Sequence, residues 1–136
     1  MKKYFLSSLL LVPLVFITEN LYAFTTWAGQ FSFTESNQKT AEDIDLDFTP
    51  EKAEWKNGRV RVWGNIKNKT YESYQFVKIT FSAWGTGHGN LLGRVSMYTD
   101  PMDIGPGQIG YIENFGINCG NQKPNDIEFK VTGRLK

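Results

Sequence analysis

Residues 74–84 read Tyr-Gln-Phe-Val-Lys-Ile-Thr-Phe-Ser-Ala-Trp, and the pattern of this stretch predicts the fold class. Every second residue is apolar, and the apolar series is Val77, Ile79, Phe81 and Ala83. Side chains alternate between the two faces of a β-strand, so one face of this stretch belongs in a core. The other face carries Lys78, Thr80 and Ser82 and therefore faces solvent, with Phe76 and Trp84 at its ends.

A β-hairpin is predicted upstream, around Asn57-Gly58. This dipeptide tolerates the positive φ angles of a two-residue turn, and alternating stretches flank it on both sides. In the stretch after the turn, one face carries Val60, Val62, Gly64 and Ile66, and the other carries Arg59, Arg61, Trp63 and Asn65. The hairpin therefore continues the pattern of one buried and one solvated face.

Further strands are predicted downstream at residues 91–98, 108–115 and 127–131, separated by turns rich in Gly and Pro. Gly93 lies inside the first of these strands and predicts a bulge or a close approach of backbone. No stretch after residue 23 has a helical period. The sequence thus predicts an all-β sandwich of about six or seven short antiparallel strands over residues 44–136.

The N-terminus has the features of a signal peptide. Lys2 and Lys3 precede an apolar run, and Ala23 ends the small-residue site that predicts cleavage after it, with Ala28 as the reserve position. A membrane anchor is disfavoured because the apolar run is shorter than the about 20 residues that a spanning helix needs. We therefore expect a periplasmic or secreted protein with no membrane span once residues 1–23 are removed.

The charge of the processed chain is balanced. The whole chain has 15 basic and 14 acidic residues, and residues 1–23 hold two basic and one acidic residue, which leaves 13 of each. A neutral domain has no electrostatic reason to bind nucleic acid or an anionic membrane. Residues 24–43 are largely polar, and we expect a loosely held segment there, although Phe31 and Phe33 have the spacing of a short strand.

Four pieces of the chain resemble, in the same order, the conserved segments of the FxLYD domain family: Val62–Asn68, Val77–Trp84, Asn90–Gly93 and Ile104–Gln108. The naming motif is altered, since Phe81–Gly85 keeps only its Phe. The resemblance implies that residues 60–131 form the core of an immunoglobulin-like β-sandwich of an exported bacterial or archaeal protein. The family has no assigned activity, so the resemblance implies no catalytic or cofactor-binding residues.

One pattern has the ligand types of a calcium site. Asp43, Asp45, Asp47 and Glu54 match several ligand offsets of a calcium-binding loop. The position that needs Gly is Phe48, so the alternative interpretation, a solvated acidic edge that discourages strand aggregation, is favoured. We predict no cofactor and no metal.

His88 and Cys119 are the only histidine and the only cysteine. A thiol activity of this pair is conceivable, but no nucleophile motif surrounds Cys119, and we expect a non-enzymatic protein without catalytic residues. A single cysteine excludes an internal disulfide. Cys119 is then either buried as a small hydrophobic side chain, which we favour, or it links two chains in a homodimer by a disulfide.

Trp63 and Trp84 are both predicted to point away from the core. They could form a surface for a protein or a sugar, or residues 24–50 could cover them, as is usual for large apolar patches. The leading prediction is an exported non-enzymatic module that binds a protein or a cell-envelope polymer. The alternatives are a self-associating structural subunit of an envelope or secreted assembly and a carbohydrate-binding domain that uses Trp63 and Trp84.

Overall fold

A computed structural model of the chain describes residues 25–37, 40, 42–86 and 88–136. The predicted signal peptide, residues 1–23, and its cleavage site after Ala23 lie outside the described residues. The described residues form eight strands: β1 (Thr25–Ala28), β2 (Phe31–Glu35), β3 (Asp47–Lys56), β4 (Arg59–Lys67), β5 (Tyr74–Trp84), β6 (Leu91–Tyr98), β7 (Ile109–Asn118) and β8 (Asp126–Leu135). In this part of the chain, no helix is long and apolar enough to cross a membrane.

The strands form two sheets, which confirms the predicted β-sandwich. One sheet has five strands in the order β1-β2-β8-β5-β6, and the other has three in the order β3-β4-β7. Neighbouring strands are antiparallel except β2 and β8, which run parallel. Six of the eight described strands, β3 to β8, lie within residues 44–136, which confirms the predicted number of six or seven. Strands β1 and β2 are additional and come from the segment that we expected to be loosely held.

The central predictions from alternation are confirmed. Strands β5 and β6 have the predicted bounds. The hairpin turn has φ angles of 54° at Asn57 and 77° at Gly58, and Lys56 pairs with Arg59 directly before and after the turn. A Cβ added to Gly93 would overlap the carbonyl oxygen of Asn118, so the predicted close approach joins β6 to β7.

The expectation of a loosely held segment at residues 24–43 is wrong for β1 and β2. Phe31 and Phe33 are buried in the core, and β2 pairs along its length with β8. The ring of Phe33 packs edge to face against Phe48 at 6.1 Å and Phe81 at 6.3 Å between centroids. Two buried aromatic side chains at period two provide enough apolar area to anchor the segment as part of the sheet. Strands β1 and β2 extend the edge of the five-stranded sheet and do not cover its outer face.

The core lies between the facing inner surfaces of the two sheets. Its fully buried members come from both sheets and include Phe33, Val60, Val62, Ile66, Val77, Ile79, Phe81, Ile112, Ile117 and Ile127. Because these side chains point inward, the residues between them on β8, β5 and β6 point to the outer face of the five-stranded sheet. This outer face is the candidate binding surface.

Candidate binding surface on the five-stranded sheet

The outer face of the five-stranded sheet carries four rows of side chains in strand register. Each row crosses β8, β5 and β6 in that order: Asp126–Trp84–Leu91, Glu128–Ser82–Arg94, Lys130–Thr80–Ser96 and Thr132–Lys78–Tyr98. We call these residues the outer strip. The first and last rows are six residues apart along β8, which corresponds to about 20 Å of strand. Aromatic rings stand at both ends, and the middle is polar.

The first end of the outer strip is built around Trp84 and His88. The imidazole of His88 stacks on the Trp84 ring with 5.0 Å between centroids and 13° between planes. Its Nε2 atom lies 2.8 Å from Oδ2 of Asp126, which pairs with Trp84 across β8 and β5. The exposed imidazole is therefore held in place by a carboxylate and an indole.

Asp126 is oriented by two hydroxyl groups from β2. Ser32 Oγ donates to its Oδ1 atom at 2.8 Å, and Thr34 Oγ1 donates to the same atom at 3.1 Å. The carboxylate therefore lies between Ser32 and His88. A serine nucleophile instead requires the imidazole as its hydrogen-bond partner, so this arrangement does not form a nucleophile and general-base pair.

The indole nitrogen of Trp84 has no hydrogen-bond partner within the described part of the fold. This Nε1 is the one buried side-chain nitrogen or oxygen atom without a hydrogen-bond partner among the described residues. A second indole stands in the same row, because Trp27 on β1 pairs with Ser32, which pairs with Asp126. Trp27 is 67 % exposed. This end of the strip thus offers two aromatic rings with hydrogen-bonding groups between them.

The second end of the outer strip is a hollow of about 310 Å³. It is lined by side chains of mixed chemistry, namely Glu42, Phe76, Lys78, Tyr98, Thr132 and Arg134. Phe76 is 47 % exposed and Tyr98 is 52 % exposed. Two solvent-facing rings thus line the same hollow as two cationic groups, which gives it features of a small-ligand site.

Phe76 has a backbone conformation that is rare for an aromatic residue. Its φ angle is 54°, in the left-handed region. The residue lies where the register of β5 against β8 shifts between Gln75 and Lys78, and its N–H points to Oδ1 of Asp103 at 3.4 Å. Bulges and strained residues are frequent next to binding sites.

The middle of the outer strip is polar and largely paired within itself. Nε of Arg94 donates to Ser82 Oγ at 2.9 Å, and the hydroxyl groups of Thr80 and Ser96 are 2.7 Å apart. Lys130 lies 3.7 Å from a carboxylate oxygen of Asp43. These groups can exchange hydrogen bonds with a ligand that carries many hydroxyl groups.

The structure separates the two tryptophans that the sequence assigned to one surface. Trp63 belongs to β4 in the three-stranded sheet, and Trp84 belongs to β5 in the five-stranded sheet. Both point away from the core as predicted, but the outer faces of the two sheets look in opposite directions. Lys52 lies over the Trp63 ring at 4.6 Å. Trp63 and Trp84 therefore cannot contact one small ligand together.

The acidic residues considered for calcium are also not brought together. Asp43 accepts hydrogen bonds from the backbone and side chain of Thr40, Asp47 pairs with Lys69 at 2.7 Å, and Glu54 pairs with Lys52 at 3.6 Å. Asp45 is exposed. Among the described residues, no group of three or more His, Cys, Asp or Glu side chains could hold a metal ion.

Cys119 is buried, which confirms the favoured interpretation of this residue. Only 4 % of it is exposed, and its Sγ donates to the Ile117 carbonyl oxygen at 3.5 Å. Burial raises the pKa of the Cys119 thiol above its ordinary value, which suppresses the nucleophilic thiolate. His88 binds Asp126 instead, so the conceived Cys119–His88 pair lacks a structural basis.

We expect iodoacetamide to leave Cys119 unmodified in the folded protein at pH 7–8, because the thiol is both protonated and inaccessible. The same reagent should modify it completely in concentrated urea, as measured by intact-mass spectrometry. Rapid labelling of the folded protein would contradict the burial and would reopen the prediction of a Cys119-linked homodimer.

Sequence alternation predicted some residues of this surface but not the contacts between them. It placed Trp84 on the outer face and Phe76 at the end of the same series. It missed Asp126 as the partner of His88, because the two residues are 38 positions apart and neither lies in a motif. The outward series of β8, which begins at Asp126, was the available signal, but strand order was needed to place it beside Trp84.

No family model, no curated protein and no solved structure matches this chain.

Proposed function

We propose that the protein is a non-enzymatic binding module that holds an extended polysaccharide along the outer strip. The observation that carries this proposal is the arrangement of the strip. Exposed rings stand at both ends, about 20 Å apart across polar side chains. Trp27 and the His88 imidazole, which stacks on the half-buried Trp84, stand at one end, and Phe76 and Tyr98 stand at the other.

A sugar polymer suits this alternation of rings and polar groups. One face of a pyranose ring is lined by C–H groups and packs on an aromatic face, while its rim carries hydroxyl groups that donate and accept hydrogen bonds. The exposed imidazole of His88 and the carboxylate of Asp126 are groups that could meet such a rim. A run of about four sugar rings would span the strip.

A protein partner is less well matched, because the exposed rings are separated by charged residues and do not form one continuous apolar patch. Single-stranded nucleic acid also stacks on aromatic rings, but it requires a positive groove. Here the acidic residues Asp126 and Glu128 stand in the same rows as Trp84 and Arg94. Export, an envelope location and the FxLYD resemblance stay predictions, and so does self-association as the alternative function.

The test is to titrate residues 24–136 with a panel of soluble polysaccharides by isothermal calorimetry and tryptophan fluorescence. We expect saturable binding by at least one polymer, and we expect Trp84→Ala to weaken it at least about tenfold, because the ring itself and the support of the stacked His88 imidazole are lost together. Light scattering of the same samples measures self-association.

Trp63→Ala is the matched control, because it removes the same side chain from the outer face of the other sheet. Its affinity should equal that of the unchanged protein. Equal losses in the two variants, or loss in Trp63→Ala alone, would place the ligand elsewhere and overturn the proposal. Failure of every polymer to bind would also overturn it.

A further inference from the structure

We infer that the hollow at the Phe76 end of the outer strip takes a sugar ring that bears a carboxylate, so that the ligand is an acidic polysaccharide. This inference rests on the proposed function and adds the chemical class of the polymer. The hollow is the part of the strip where two cationic side chains and two exposed rings occur together.

The cations of the hollow are free to bind a ligand. Within the described part of the chain, neither Lys78 nor Arg134 has a carboxylate oxygen within 4.0 Å. Several other lysines do have such partners, namely Lys52, Lys69, Lys130 and Lys136. An arginine can bind a carboxylate through two parallel hydrogen bonds, and a lysine adds a point charge beside it. The hollow thus offers two positive groups whose charge the protein does not neutralise by direct pairing.

The volume and the aromatic side chains of the hollow favour one sugar ring over a larger ligand group. Its volume of about 310 Å³ is at the lower limit of small-ligand sites. Phe76 and Tyr98 supply aromatic faces for the C–H side of that ring. Phe76, whose φ is positive, lines this hollow together with Lys78 of the same strand.

The remaining lining groups suit the hydroxyl rim of a sugar. The Thr132 hydroxyl can donate and accept a hydrogen bond, and the Glu42 carboxylate can accept from a ligand hydroxyl. Glu42 would repel a densely charged anion such as a phosphate group. A ring with one carboxylate and several hydroxyl groups satisfies the basic and the acidic lining residues together.

The test compares two polymers that differ only in their acid groups, polygalacturonate and the same polymer after reduction of its carboxyl groups to alcohols. We expect the acidic polymer to bind at least about tenfold more tightly. The double variant Lys78→Gln/Arg134→Gln should remove that preference, so that it binds the two polymers with the same affinity. Arg61→Gln, an exposed arginine on the other sheet, is the matched control and should keep the preference.

The outcomes separate this inference from the function on which it rests. Equal binding of the two polymers, lost in Trp84→Ala, would overturn the acidic class and leave the polysaccharide module standing. Binding of neither these polymers nor any other polysaccharide would overturn the proposed function. Equally tight binding of polyacrylate or of single-stranded DNA, which lack a carboxylated sugar ring, would show general anion attraction and would also overturn the inference.

Discussion

Phe33→Ala is expected to lower the free energy of unfolding by about 3–5 kcal/mol, the range for a fully buried phenylalanine. Phe33 is completely buried and touches the rings of Phe48 and Phe81, one from each sheet. Removing it would leave a cavity between the sheets and would weaken the attachment of β2 to β8. Thermal unfolding followed by circular dichroism should show a midpoint lowered by more than about 10 °C.

The control is Phe76→Ala, which deletes the same atoms from an exposed position. We expect its unfolding free energy to change by less than about 1 kcal/mol. If Phe33→Ala were as stable as the unchanged protein, β1 and β2 would contribute little to the core. The expectation of a loosely held N-terminal segment would then be correct after all.

Asn68→Asp is expected to destabilise the fold by about 3 kcal/mol, although the two side chains have nearly the same shape. Asn68 is fully buried after the end of β4. Its Nδ2 donates to the carbonyl oxygens of Glu72 at 2.7 Å and Ile104 at 3.1 Å, and its Oδ1 accepts from the N–H and the hydroxyl group of Thr70. The substitution would replace a double donor by a carboxylate oxygen that faces two carbonyl oxygens.

The pH dependence of this variant identifies the cause. The two carbonyl oxygens and the burial favour the protonated form of the introduced carboxyl group, and protonation restores one donor. The stability difference from the unchanged protein should therefore narrow as the pH falls from 7 towards the ordinary carboxyl pKa. Urea unfolding at pH 7 and pH 3.5 measures it. Asn121→Asp makes the same chemical change in an exposed turn and should cost less than about 0.5 kcal/mol. A constant difference for Asn68→Asp at both pH values would rule out the loss of the donor as the cause.

The stability variants and the binding variants change different parts of the molecule. Phe33→Ala and Asn68→Asp act on the core and on a buried turn, whereas the binding variants change side chains of the outer strip. A loss of affinity in Trp84→Ala or in Lys78→Gln/Arg134→Gln is therefore meaningful only where the unfolding midpoint is retained. Measuring both quantities on every variant distinguishes a lost ligand contact from a lost fold.

Much of the fold was predictable because alternation is a local property. The outward orientation of Trp84 and the bounds of β5 follow from period two, and the Asn57-Gly58 turn follows from its tolerance of positive φ. The candidate site was predictable only in part. Nothing local to His88 indicates Asp126, and nothing local to Phe76 predicts the positive φ that accompanies the register shift in β5.

The spacing of apolar residues requires strands that bury one face each, because it specifies which face of a strand must leave water. Which outward-facing residues share one surface depends on the tertiary structure. It set Trp63 and Trp84 on different sheets, and it brought Ser32 to Asp126 across 94 positions of the chain. The order of strands in a sheet depends on how all the apolar faces close together, and no short stretch of sequence contains that information.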